Sequence, residues 1–105
     1  MPDASSWSWF FVLPNGLTTV NANTFSGVKA ERIYLPDSCV SIGTCAFANC
    51  TNLKRIRIPA GIAYDQIAPD AFDGVSYVVL IGTRGSGAEQ YANDSAHPNC
   101  EFEAE

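Results

Sequence analysis

Ile42-Gly43-Thr44-Cys45-Ala46-Phe47-Ala48-Asn49-Cys50-Thr51-Asn52-Leu53-Lys54-Arg55-Ile56-Arg57-Ile58-Pro59 is the stretch whose reading decides the fold. Its last four residues alternate apolar and polar side chains, the period of a short strand with one buried face, and proline, lacking an N–H to donate, ends the ladder. Ala46-Phe47 sets a small residue before a large one, so the chain can fold back tightly over an aromatic plug. Two residues later Asn49 is a residue type that tolerates the positive φ of a tight turn. Strand, plug and turn make one coil. A single coil cannot bury its own apolar edge, so the pattern has to recur in stacked neighbours.

It recurs on both sides. Upstream, Ile33-Tyr34-Leu35-Pro36 leads through Cys39 to Ile42 and Phe47, and Phe11-Val12-Leu13-Pro14 leads through Leu17 and Val20 to Thr24-Phe25. Leu13 to Leu35 and Phe25 to Phe47 are both offsets of 22. Downstream, Pro36 to Pro59 is 23 and Phe47 to Phe72 is 25, which places a two-residue insertion around residues 60–66. Val20, Ile42 and Ile67 form one inward column, and Gly27, Asn49 and Gly74 form the turn column. One domain, 1–105, is expected, with repeats over about 7–28, 29–52 and 53–75 and a closing segment over 76–105.

The central stretch resembles the BspA-like leucine-rich repeat, whose pattern runs roughly I-G-x-x-A-F-x-x-C-x-x-L-x-x-I-x-I-P; every fixed position is matched between Ile42 and Pro59. The flanking copies depart from it: Thr24 replaces the alanine, and Val28 and Val75 stand in the cysteine column. The tail, Val79-Leu80-Ile81-Gly82-Thr83-Arg84-Gly85-Ser86-Gly87-Ala88-Glu89-Gln90-Tyr91-Ala92 followed by Cys100-Glu101-Phe102, is similar to the segment that closes many such arrays. Ser86 and Glu89 have the spacing of a capping box for a helix over 86–93, with Ala88, Tyr91 and Ala92 on one face. The resemblance implies an α/β leucine-rich-repeat solenoid, right-handed, with a short parallel β-sheet on one face, irregular or short helical turns opposite, and a C-terminal capping helix. It also implies the setting of such arrays, surface and secreted proteins of host-associated bacteria and protists, linked to adhesion and protein binding.

Composition narrows the function classes. Hydrophobic residues make up 47% of the chain and charged residues 16%, a globular balance. A formal net charge of −5 disfavours nucleic acid, which rewards a basic surface that releases counterions. Trp7-Ser8-Trp9-Phe10-Phe11-Val12-Leu13 is far shorter than the roughly 20 residues of a membrane helix, so no membrane insertion is expected. Met1–Ser6 carries no positive residue and no targeting signal, so a surface location rests on the resemblance alone. Trp7, Trp9 and Phe10 are expected to cover the first coil's edge or to support self-association there.

Chemistry-bearing candidates resolve into structural ones. Gly82-Thr83-Arg84-Gly85-Ser86-Gly87 sits between strand and helix where phosphate loops lie, yet it lacks the P-loop lysine and the G-x-G-x-x-G spacing, so it reads as a turn. Cys39, Cys45 and Cys50 form no C-x-x-C pair and fall in different columns, so they read as structural thiols and no metal is expected. His97, the only histidine, lies in a polar connection without a nucleophile elbow and reads as a solvated loop residue. Asp65, Asp70 and Asp73 read as exposed carboxylates without the alternate-position spacing of a calcium loop. No catalytic residue, cofactor or enzymatic activity is expected.

The strand face turned from the core remains. With Phe11, Leu13, Ile33, Leu35, Ile56 and Ile58 inward, period two turns Phe10, Val12, Arg32, Tyr34, Arg55 and Arg57 outward. Together with Lys29 and Lys54, five of the six basic residues gather around one pair of rungs. This face is the candidate ligand surface, for a protein or glycan. Two other readings stay beside it: charge that keeps an open sheet soluble, and a spacer or C-terminal capping segment of a longer array with no ligand of its own.

Overall fold

The computed structural model describes residues 10–13, 15–95 and 97–104, with side chains from residue 13 onward. Each of the three coils contributes one short strand, and the closing segment two, to a five-stranded parallel sheet: β1 (Phe10–Val12), β3 (Arg32–Tyr34), β5 (Arg55–Arg57), β6 (Val78–Gly82) and β7 (Cys100–Ala104), in that spatial order. The register repeats the sequence offsets, with Phe11 on Ile33, Ile33 on Ile56, Ile56 on Leu80 and Leu80 on Phe102. Ile33, Ile56 and Leu80 in this middle row are fully buried. The chain is thus a stack of short parallel strands with few helices.

At the next corner of each coil the expectation of irregular structure is only partly met. β2 (Thr19–Val20) and β4 (Ser41–Ile42) pair in parallel, and Ile42 bridges to Ile67, so Val20, Ile42 and Ile67 form a second inward row. Thr19-Val20 and Ser41-Ile42 share a polar-then-apolar pattern with the second residue buried, and that β-branched pair is enough for a minimal ladder. The two-residue insertion is taken up by a 3-10 turn at Tyr64–Gln66.

The aromatic plugs form a column. Phe47 is fully buried, its ring stacked 5.7 Å from Phe25 at 7° and 5.5 Å from Phe72 at 10°. Gly27, Asn49 and Gly74 all take positive φ, as the turn column requires. These turns also carry a ladder between coils: Phe25 and Gly27 N–H donate to the Ala46 and Ala48 carbonyls, and Phe47 and Asn49 N–H donate to those of Ala71 and Asp73. Cys50 fills its column as a small buried side chain and donates its thiol to the Phe25 carbonyl at 3.1 Å.

Helix α1 (Gly87–Asn93) lies against β6, β7 and the 3-10 turn, burying Ala88, Tyr91 and Ala92 as the pattern predicts. The capping box does not form. Ser86 is the N-cap residue, but its hydroxyl is buried without a partner, and the Glu89 carboxylate accepts instead from the Gly85 N–H at 2.7 Å. The cause is the approach of the 3-10 segment. A Cβ at Gly87 would lie 2.4 Å from the Tyr64 nitrogen and 2.5 Å from the Ile62 carbonyl oxygen, so the helix starts where only glycine fits and Ser86 is pressed inward. Among the described residues no helix is long and apolar enough to cross a membrane.

Candidate functional site

The outer rows of the sheet come from the same register. One runs Phe10, Arg32, Arg55, Val79, Glu101, and the other Val12, Tyr34, Arg57, Ile81, Glu103. Arg32 and Arg55 are exposed, while Tyr34 and Arg57 are half-buried. Phe10 and Val12 hold their places in the backbone register, but their side chains, like Trp7 and Trp9, lie outside the described residues. Each row therefore passes from a basic middle to an apolar rung and then to an acidic edge. The acidic edge escaped the sequence reading because the tail strand was not set in register there; Glu101-Phe102-Glu103 alternates in the same way as Arg55-Ile56-Arg57 and carries that signal.

The arginines are not crowded without compensation. Stacked like charges on neighbouring rungs, about 4.8 Å apart, are expected to repel. Arg55 instead reaches across β6 to the Glu103 carboxylate at 2.9 Å. Arg57 donates to Asp37 at 2.8 Å and to the Leu35 carbonyl at 3.0 Å, so it is anchored to the turn after β3. Lys54 pairs with Glu31 at 3.6 Å. Arg32 makes no hydrogen bond or ion pair among the described residues, which leaves an exposed guanidinium beside Tyr34, next to the β5 rung whose two arginines are held in place.

A second concave region lies at the other end of the third coil. His97 is not a solvated loop residue: it is only 7% exposed, and its ring lies flat on Tyr91, centroids 3.7 Å apart at 10°. The polar connection folds back because the Tyr91 hydroxyl is tied to the Ala68 carbonyl at 2.8 Å, fixing a ring on which the imidazole stacks. Burial pushes the Tyr91 phenol well above its ordinary range. Beside the ring pair is a hollow of about 290 Å³ that Asp70 and Asp73 also line. Asp65, Asp70 and Asp73 are exposed, as expected. The Thr44 hydroxyl, donating to Asp70 at 2.5 Å, holds that carboxyl below the usual range.

The cysteines are all free thiols. Burial raises the pKa of Cys39, Cys45 and Cys50, and pushes Cys100 up to about 11. At neutral pH such thiols are held mostly in the protonated, weakly nucleophilic form.

The family model described as "BspA type Leucine rich repeat region (6 copies)" matches residues 8–101. The chain belongs to the BspA-type leucine-rich repeat family. No curated protein matches it. Among solved structures it is similar to a leucine-rich cell surface protein from Faecalibacterium prausnitzii A2-165, at 26% identity with a TM-score of 0.48, over 92% of this chain and 32% of that one. The chain thus spans about a third of that protein's length. Within a BspA-type repeat, Ile33, Phe47, Cys50, Leu53, Ile56, Ile58 and Pro59 are scaffold residues, all of them buried. Arg32, Tyr34, Arg55 and Arg57 occupy the positions that the repeat pattern leaves variable.

Proposed function

We propose that this chain is a non-enzymatic binding module of a surface or secreted BspA-type protein, and that the outer face of its five-stranded sheet takes a protein or glycan ligand. The observation that carries this reading is Arg32, an exposed guanidinium with no intrachain partner among the described residues. It stands in register with Arg55 and beside the Tyr34–Arg57 pair. Arginine and tyrosine give large contact area and planar hydrogen bonding at low entropic cost, the qualities enriched at the centres of interfaces. Arg55 and Arg57 are pre-ordered by Glu103 and Asp37, so less side-chain freedom is lost when a ligand arrives. An acidic or carboxylate-bearing partner fits this chemistry, with modest, salt-sensitive affinity. The thiols held protonated and the histidine stacked on Tyr91 favour a binding role over catalysis.

On this reading the coils form a short solenoid and α1 caps its last coil, keeping Tyr91 over Phe72. The test is an Arg32→Glu variant, which removes no contact seen within the chain, measured beside the parent against a panel of host-surface proteins and carboxylate-bearing glycans. Affinity for a cognate acidic ligand is expected to fall about ten-fold or more, with the melting temperature unchanged. Equal binding to every ligand that the parent recognises would leave the basic rungs as solubilising charge and the chain as a spacer.

A further inference from the structure

The ladder that joins the coils at their plugs runs in one direction, and it is left open at its last step. Phe25 and Gly27 N–H donate forward to the second coil, and Phe47 and Asn49 N–H donate forward to the third. The equivalent donors of the third coil are the N–H groups of Phe72 and Gly74. Neither makes a hydrogen bond among the described residues, although Phe72 is only 3% exposed. Both residues line the hollow of about 290 Å³ described above. A nearly buried residue with an unpaired amide is uncommon, because an orphaned donor costs about as much as a lost hydrogen bond.

Two more observations bear on what would satisfy these donors. His97, only 7% exposed as a residue, lines the same hollow, and its ring nitrogens, which have no hydrogen-bond partner among the described residues, keep contact with solvent. One nitrogen of a neutral imidazole accepts a hydrogen bond and the other donates. The rim carries Asp70 and Asp73, and among the described residues no lysine or arginine lines the hollow. Phosphate or another free anion would meet those carboxylates and is disfavoured. Main-chain carbonyls are neutral acceptors, and two of them from alternate residues are what Ala46 and Ala48 already offer to the first coil. The volume, at the low end for ligand sites, suits a short run of backbone with one side chain rather than a larger cofactor.

We propose that this hollow binds a short peptide segment carrying a basic residue, two of its backbone carbonyls accepting from the Phe72 and Gly74 N–H groups and its ammonium or guanidinium lying against Asp73. Asp73 fits that role because its carboxylate has no hydrogen bond or ion pair among the described residues, whereas Asp70 is engaged by Thr44 and Cys45. His97 completes the site by pairing with a polar hydrogen or a lone pair of the same segment. This surface lies at the plug side of the third coil, apart from Arg32 and the sheet face, so the two sites stand or fall separately.

The experiment is a titration of a blocked Gly-Ser-Lys-Ser-Gly peptide into isotope-labelled protein, followed by amide chemical shifts. Saturable shifts are expected at Phe72, Gly74 and His97, with the Arg32 and Arg55 amides still. Replacing the peptide's lysine by glutamate should weaken binding about ten-fold, and Asp73→Asn, an exposed change that leaves the core alone, about five-fold. Shifts spread evenly over the acidic surface, equal response to the lysine and glutamate peptides, or no saturable change at Phe72 and Gly74 would each overturn the proposal.

Discussion

Phe47 touches both of its neighbours in the column, Phe25 and Phe72, with near-parallel rings. Its truncation to alanine removes a fully buried ring and leaves a cavity that the flanking rings cannot close without giving up their own stacking, at about 3–5 kcal/mol. Thermal or urea unfolding of Phe47→Ala should show a loss of that size; a melt within a few degrees of the parent's would mean that the coils are held by something else. Cys100 gives a second prediction at this scale. Its folded pKa, raised to about 11 by burial, lies above that of the unfolded thiol. The stabilisation is therefore complete below about pH 9 and is lost as pH rises through about 11. Tyr91, shifted upward in the same way, adds to the loss at still higher pH. A Cys100→Ala variant should flatten the lower part of that alkaline fall. Residues such as Phe47 and Cys50 were legible because a packing column demands one shape every coil; His97 was not, since its burial depends on a ring brought to it by another element.

Helix α1 marks where local sequence rules stop. Ser86 and Glu89 have capping-box spacing, and a working cap loses about 1 kcal/mol when its serine becomes alanine. In this fold the hydroxyl is buried without a partner, so Ser86→Ala should leave stability unchanged or raise it. A loss of about 1 kcal/mol in denaturant would restore the capping box. The strands were legible for a plainer reason. Alternation in Ile33-Tyr34-Leu35 and Ile56-Arg57-Ile58 sets the buried face, and one shared offset sets the register. The β2–β4 ladder was not legible, because two-residue strands fall below the length at which alternation can be told from chance.

For the molecule as a whole, the sequence predicted the basic rungs and missed what balances them. Asp37 follows its strand directly, but Glu103 meets Arg55 only because β7 joins the sheet two places away. The fold was read from repetition, which a single chain displays; the charge pattern of the face depends on which non-repeating segment closes the stack.

The acidic edge strand has a consequence for how a partner approaches. Arg32 on β3 and Glu101 on β7 are separated by three strand spacings, about 14 Å, while the Debye length is roughly 30 Å in 10 mM salt and about 8 Å at physiological ionic strength. In dilute buffer an incoming polyanion senses the whole molecule, whose formal charge is −5, and is turned away. Near physiological salt the distant carboxylates fade from view, and the guanidinium closest to the contact dominates. Above that, the contact itself is screened. The association rate of an acidic ligand with this face should therefore pass through a maximum as salt is raised, where a uniformly basic surface would show only decline.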